Sequence, residues 1–168
     1  MRDKIYAWLL SIHILIFICL AAFTNIIGSW LLSSLIDFEN PFPIQGYYNV
    51  PFHILTAIIL SPILETFALQ YLIIKLVQRL KWGDIPAMFI SAMLFGVAHF
   101  FSFKYIIFAF WGGLIYSASF VLLQQRKEKA FLWVCIIHAL YNMYVLLFML
   151  MPYILDPHRK PLNWDWWF

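Results

Sequence analysis

Four residues carry the chemistry this sequence can do: Glu65, His99, His138 and Asn142, each set in an otherwise apolar run. A carboxylate can take a proton from water. An imidazole can orient that water or act as a second proton-transfer group. A second imidazole and an amide can donate hydrogen bonds to a developing oxyanion. His138 and Asn142 are four apart, so they project from one helical face. Glu65 stands in the run Ser61-Pro62-Ile63-Leu64-Glu65-Thr66-Phe67-Ala68-Leu69-Gln70. Thr66 and Gln70 are also four apart and share a face about 100° round from Glu65, so the three can line one side of a polar cavity. Pro62 lacks an N–H and frees a backbone carbonyl one turn earlier, which can bend the helix. No serine or cysteine has a base at a fixed spacing, which argues against a covalent nucleophile.

Each feature alone has a plainer reading. A lone glutamic acid in a span can be protonated and hydrogen-bonded to a neighbouring helix. A lone histidine near a span end is ordinarily packed or interfacial, and a His–Asn pair is common glue between membrane helices. His13, Asn25 and His53 stand alone and read as packing or interfacial residues. Only the combination, spread over three apolar runs, points to a site.

Those runs must be membrane helices. Of the 168 residues, 64% are hydrophobic and 11% charged, whereas soluble domains are nearer 45–50% and about 25%. A fold of this size cannot hide so much apolar surface. The runs are continuous rather than alternating, which selects helices over a barrel. The expected fold is therefore an all-α integral membrane protein with about five spans in a minimal bundle. The first run extends from Ile5 to about Ile36, too long for one straight span, so it is tilted, kinked or partly interfacial. The others run from Pro51 to Val77, Pro86 to Phe103, Tyr105 to Leu123 and Phe131 to Tyr153. A polar loop from Asp37 to Val50 carries Pro41, Pro43 and Gly46. Gly112, Gly113, Ser117 and Ser119 allow close helix packing in the fourth run. Cys19 and Cys135 both lie in apolar runs and read as buried thiols rather than a disulfide framework.

The whole chain reads as one membrane domain: an N-terminal span and outer loop (1–50), a helical core (51–153) and an interfacial, aromatic tail (154–168). With the N-terminus inside and five crossings, eight basic residues face the cytoplasm: Arg2, Lys4, Lys75, Arg79, Lys81, Arg126, Lys127 and Lys129. Three, Lys104, Arg159 and Lys160, face outward. This is the positive-inside pattern, with a bacterial inner (plasma) membrane as the expected location. No basic stripe of the kind that binds nucleic acid is present. Counted from Pro86 and Phe131, His99 lies about 20 Å from the inner face and His138 about 10 Å, at 1.5 Å per residue. Tilt, a broken helix or different boundaries must close that gap.

Taken in order, the three motifs resemble the CAAX-protease and bacteriocin-processing (CPBP) family of intramembrane endopeptidases. That family carries Glu-Glu-x-x-x-Arg, Phe-x-x-x-His and His-x-x-x-Asn on successive core helices. Here the second is intact as Phe95 to His99 and the third as His138 to Asn142. The first is altered: Glu65 matches the leading glutamate, but Thr66 and Gln70 replace the second glutamate and the arginine. The resemblance covers roughly residues 51–150. It implies that Glu65 acts as general base with His99 as partner, and that His138 and Asn142 stabilise the oxyanion. Thr66, Gln70 and Phe95 are supporting residues. Neutral hydrogen bonds from Thr66 and Gln70 would replace the family's charge pair.

The function so implied is an endopeptidase that hydrolyses a membrane-tethered or hydrophobic peptide with glutamate-activated water. The substrate would be a leader or a C-terminal sorting or anchor signal, and the partners are that peptide and the bilayer. No cofactor is required; zinc at Glu65, His99 and His138, with an open fourth position, is the less favoured reading. The alternative is a catalytically inactive scaffold or immunity protein of the same fold. A small transporter or channel subunit is a third reading, against which stand the lack of repeats and of paired broken helices.

Overall fold

The computed structural model describes residues 2–36, 50–100 and 102–155. The loop at 37–49 and most of the aromatic tail lie outside the described residues. Every regular element among them is helical. Helix α1 (Arg2–Ser11) is followed by α2 (Ile14–Leu35). Helix α3 spans residues 50–79. Then come α4 (Asp84–Ala98), α5 (Phe103–Gln125) and α6 (Ala130–Leu155).

The first apolar run is not one helix. It breaks at Ile12 and His13, where His13 Nδ1 accepts a hydrogen bond from the Leu15 N–H at 3.3 Å and caps α2. The Arg126 guanidinium donates to the Leu9 carbonyl at 3.1 Å and the Ile12 carbonyl at 2.7 Å, and lies 5.3 Å from the centre of the Phe17 ring. A cation thus satisfies carbonyls freed at the C-terminal end of α1, where the helix dipole favours it.

Four helices are long and apolar enough to cross a membrane, not five: Ile14–Leu35, Thr56–Arg79, Phe103–Gln125 and Ala130–Phe148. The expected third span is the 15-residue α4. It rises about 22 Å, short of the roughly 30 Å hydrocarbon core. Large apolar side chains such as Phe23, Trp30, Leu64, Phe89, Val97 and Phe148 are exposed on the outside of the bundle, which suits lipid. The chain is an integral membrane protein on this evidence. Cys19 is exposed as well, contrary to expectation, and only Cys135 is buried. A residue inside an apolar run can face lipid as readily as the bundle.

Asp84 ties α3, α4 and α5 together at one end. Its carboxylate accepts from Gln78 and from Gln125, both at 2.8 Å, and it sits in the first turn of α4, where negative charge is favoured. Gly83 supplies the turn before it with φ of 92°, a conformation that glycine adopts without strain. Farther along, α4 and α5 approach closely. A Cβ on Gly113 would lie 3.0 Å from the Ala92 Cα, and one on Gly96 would lie 3.0 Å from the Ile106 carbonyl oxygen. Small residues therefore do here what the sequence suggested.

Helix α6 starts deeper in the bundle than α4 does, and this closes the expected gap. The Phe131 ring meets those of Tyr71 and Phe67 at 6.3 and 6.4 Å. Tyr71 lies eight residues before Arg79, about 12 Å along the axis. Running antiparallel to α3, α6 then carries His138 to about 22 Å from the Asp84 end, the depth that α4 gives His99.

Candidate active site

Helix α3 places Glu65 between two wide turns. The segments Thr56–Leu60 and Thr66–Tyr71 are π-helical, and Ser61–Glu65 between them is α-helical. Turns of this kind recur at functional sites. Widening brings residues four apart into line, so Pro62, Thr66, Gln70 and Ile74 form one buried stripe. Glu65 lies beside that stripe with its side chain 25% exposed.

The first wide turn meets a proline. The Ser61 N–H bonds the Thr56 carbonyl, five residues back. The next carbonyl, that of Ala57, would look in the same way to residue 62, which is proline and has no N–H. Asn142 of α6 fills the vacancy: its Nδ2 donates to the Ala57 carbonyl at 2.8 Å. Pro62 therefore does free a carbonyl, and a residue from another helix takes it. One amide N–H of Asn142 is used in this way and its second remains.

The two histidines converge on Glu65. Its Oε2 lies 3.6 Å from His99 Nε2 and 3.9 Å from His138 Nε2. The Ser61 hydroxyl donates to Oε1, while Oε2 makes no hydrogen bond among the described residues. His99 is the residue at which α4 ends, with its backbone N–H on the Gly96 carbonyl at 3.0 Å. Its Nδ1 lies 2.7 Å from the Phe95 carbonyl oxygen. A carbonyl can only accept, so Nδ1 carries the proton. In the neutral ring Nε2 then presents its lone pair to Glu65. Spacing four between Phe95 and His99 thus has a backbone meaning: the helix ends by handing a free carbonyl to its own capping imidazole.

Aromatic rings fix the rest. Phe95 stacks on His99 with centroids 4.7 Å apart and meets His138 edge-on at 5.6 Å. Tyr105 stands edge-on to His99 at 5.1 Å. Tyr116 stacks on His138 at 4.4 Å.

Thr66 and Gln70 are fully buried, but the expected neutral hydrogen bonds from them in place of a charge pair are not seen among the described residues. Thr66 Oγ1 and both amide atoms of Gln70 make no hydrogen bond among the described residues. Buried polar atoms of this kind are ordinarily met by internal water. Among the described residues no group of His, Cys, Asp and Glu side chains is arranged to hold a metal ion.

Against known families, the model for type II CAAX prenyl endopeptidase Rce1-like proteins matches residues 48–144, more than half of the chain. The chain belongs to this Rce1-like family. No curated protein and no solved structure matches it. The Rce1-like region takes in Glu65, His99, His138 and Asn142 and leaves out α1 and α2. Several residues around the Rce1-like site carried no weight in the sequence. Ser61 could have been found, because it is four residues before Glu65 and shares its face. Tyr105 and Tyr116 had no such signal. Asn25, read as packing, is buried in α2 and donates to the Tyr116 hydroxyl at 3.0 Å.

Proposed function

We propose that this chain is an intramembrane endopeptidase in which Glu65 activates a water molecule. The observation that carries this reading is the free Glu65 Oε2, with the Nε2 atoms of His99 and His138 3.6 and 3.9 Å away. Ionisable groups at such depth are expensive and are retained where they line a functional cavity.

In the proposed reaction Oε2 takes a proton from water as the hydroxide oxygen attacks a peptide carbonyl. Ser61 holds the other carboxylate oxygen and so aims Oε2. His99, with Nδ1–H fixed on the Phe95 carbonyl, keeps its Nε2 lone pair toward the same proton, so Glu65 and His99 share it. The oxyanion accepts from His138 Nε2–H and the second N–H of Asn142. Collapse of the tetrahedral intermediate breaks the C–N bond, and the shared proton passes to the leaving amine.

The substrate is a membrane-tethered or hydrophobic peptide, as a leader or a C-terminal sorting or anchor signal would be. Residues 51–153 form the reacting core, with the N-terminus cytoplasmic in a bacterial inner membrane. The inactive scaffold reading draws on one observation, the Thr66 and Gln70 alteration. Complementation of a deletion strain separates the two. Glu65→Gln and His99→Ala, expressed to wild-type level, fail to complement if the chain is a protease. If both complement fully, the scaffold reading replaces it.

A further inference from the structure

His99 and His138 are held in different ways. The His99 ring is fixed by its Nδ1 hydrogen bond to the Phe95 carbonyl. His138 Nδ1 is buried and makes no hydrogen bond among the described residues. A ligating or catalytic imidazole ordinarily has its ring set by the bond its other nitrogen makes. Among the described residues His138 has ring contacts for that purpose, and the nearest of them is Tyr116, with centroids 4.4 Å apart and planes 26° from parallel.

Tyr116 is in turn held from outside the Rce1-like region. Its hydroxyl accepts from Asn25 Nδ2 at 3.0 Å, and both residues are fully enclosed. The Asn25 carbonyl accepts from Trp111 Nε1 at 3.3 Å. A Cβ on Gly28 would lie 2.1 Å from the Trp111 ring, so glycine is what lets α2 lie against it. Gly112 leaves room on the other side: a Cβ there would come 3.7 Å from Asn25 Nδ2. Apolar contact alone does not fix one membrane helix against another, because lipid tails are equally apolar. Polar bonds and small residues set the register of α2 on α5.

We infer that Tyr116 is a positioning residue for His138, and that Asn25 of α2 holds Tyr116 in place, so the Rce1-like core depends on α2 for an ordered site. This rests on His138 acting in the reaction proposed above. The first consequence is kinetic. Loss of the stack lets the imidazole swing, and misplacement by about 1 Å can lower a rate about 10²-fold. The second concerns order: Asn25 acts only through the Tyr116 hydroxyl, so the two effects are not additive.

The experiment uses the full chain in lipid vesicles with a membrane-anchored reporter peptide. Tyr116→Leu is expected to lower kcat by about tenfold to 10²-fold with KM unchanged. Tyr116→Phe keeps the ring and restores most of that loss. Asn25→Ala lowers kcat in the wild-type background and has no further effect in the Y116F background. A Y116L protein with wild-type kcat, or one changed in KM alone, overturns the inference, as do additive N25A and Y116F effects. A second readout needs no activity: the ring-proton NMR shifts of His138, assigned by its absence in His138→Gln. Tyr116 stacking displaces them; Y116L must collapse that displacement and Y116F must keep it. If the wild-type protein cleaves nothing, the protease reading fails, while the shifts still decide whether Tyr116 and Asn25 order His138.

Discussion

The bond between Asn142 and the Ala57 carbonyl makes two roles of one residue separable. Asn142→Ala removes the donor that Pro62 cannot supply, and it also removes the proposed oxyanion donor. The structural loss leaves one carbonyl unpaired in an apolar bundle. This costs about 1–3 kcal/mol on soluble-protein scales, and about 0.6 kcal/mol is the average for polar contacts between membrane helices. The chemical loss is larger, since removing one oxyanion donor costs about 10²–10³ in kcat. Pro62→Ala introduces an N–H at position 62, which is placed to bond the Ala57 carbonyl through the same five-residue turn that joins Ser61 to Thr56. The double variant should therefore regain the stability lost in N142A and remain inactive. Thermal unfolding in detergent reads the first effect and cleavage of a membrane-anchored peptide reads the second. Recovery of activity in the double variant would refute the oxyanion role and make Asn142 a helix splint. An N142A protein of unchanged stability would show instead that the 2.8 Å bond contributes little.

Two more outcomes follow from burial. Thr66 and Gln70 are both fully enclosed, so Thr66→Glu or Gln70→Arg alone should destabilise the bundle by about 3–5 kcal/mol as an unpaired buried charge. The two together rebuild the family's charge pair and should recover most of that loss in melting temperature. Gly28→Ala should displace α2 from Trp111 and lower the melting temperature by the equivalent of about 1–3 kcal/mol of overpacking, whereas alanine at Gly112 meets nothing closer than 3.6 Å and should be tolerated.

Much of this was legible because helix spacing and membrane cost are local rules. The placement of Glu65 in an apolar span, His138 and Asn142 four apart in one helix, and Phe95 four before His99 needed only the order of residues and the expense of burying them. The convergence of these groups was not legible, because it depends on axial offsets between helices. Counting from span starts put His138 about 10 Å too shallow. Phe131 proves to lie level with Tyr71 rather than with Arg79. The expected third span fell short for a related reason. Helix α4 stops at Ala98 because His99 caps it, and a helix that ends at a site does not reach the far surface. Asn25 carries no signal in the sequence because a lone amide has no spacing partner in its own helix; its partner is 91 residues away. The Asn142 bond required knowing that the turn before Pro62 is five residues wide.

The claim that Glu65 is the base rests most directly on one ratio. Wild-type protein and Glu65→Gln would be compared in single-turnover cleavage of a membrane-anchored peptide, in the same lipid and at equal folded concentration. Glutamine keeps the shape and the Ser61 contact but cannot take a proton. A fall of about 10²–10⁴-fold is expected. A ratio near one would contradict the assignment and leave the convergence of Glu65, His99 and His138 without a catalytic meaning.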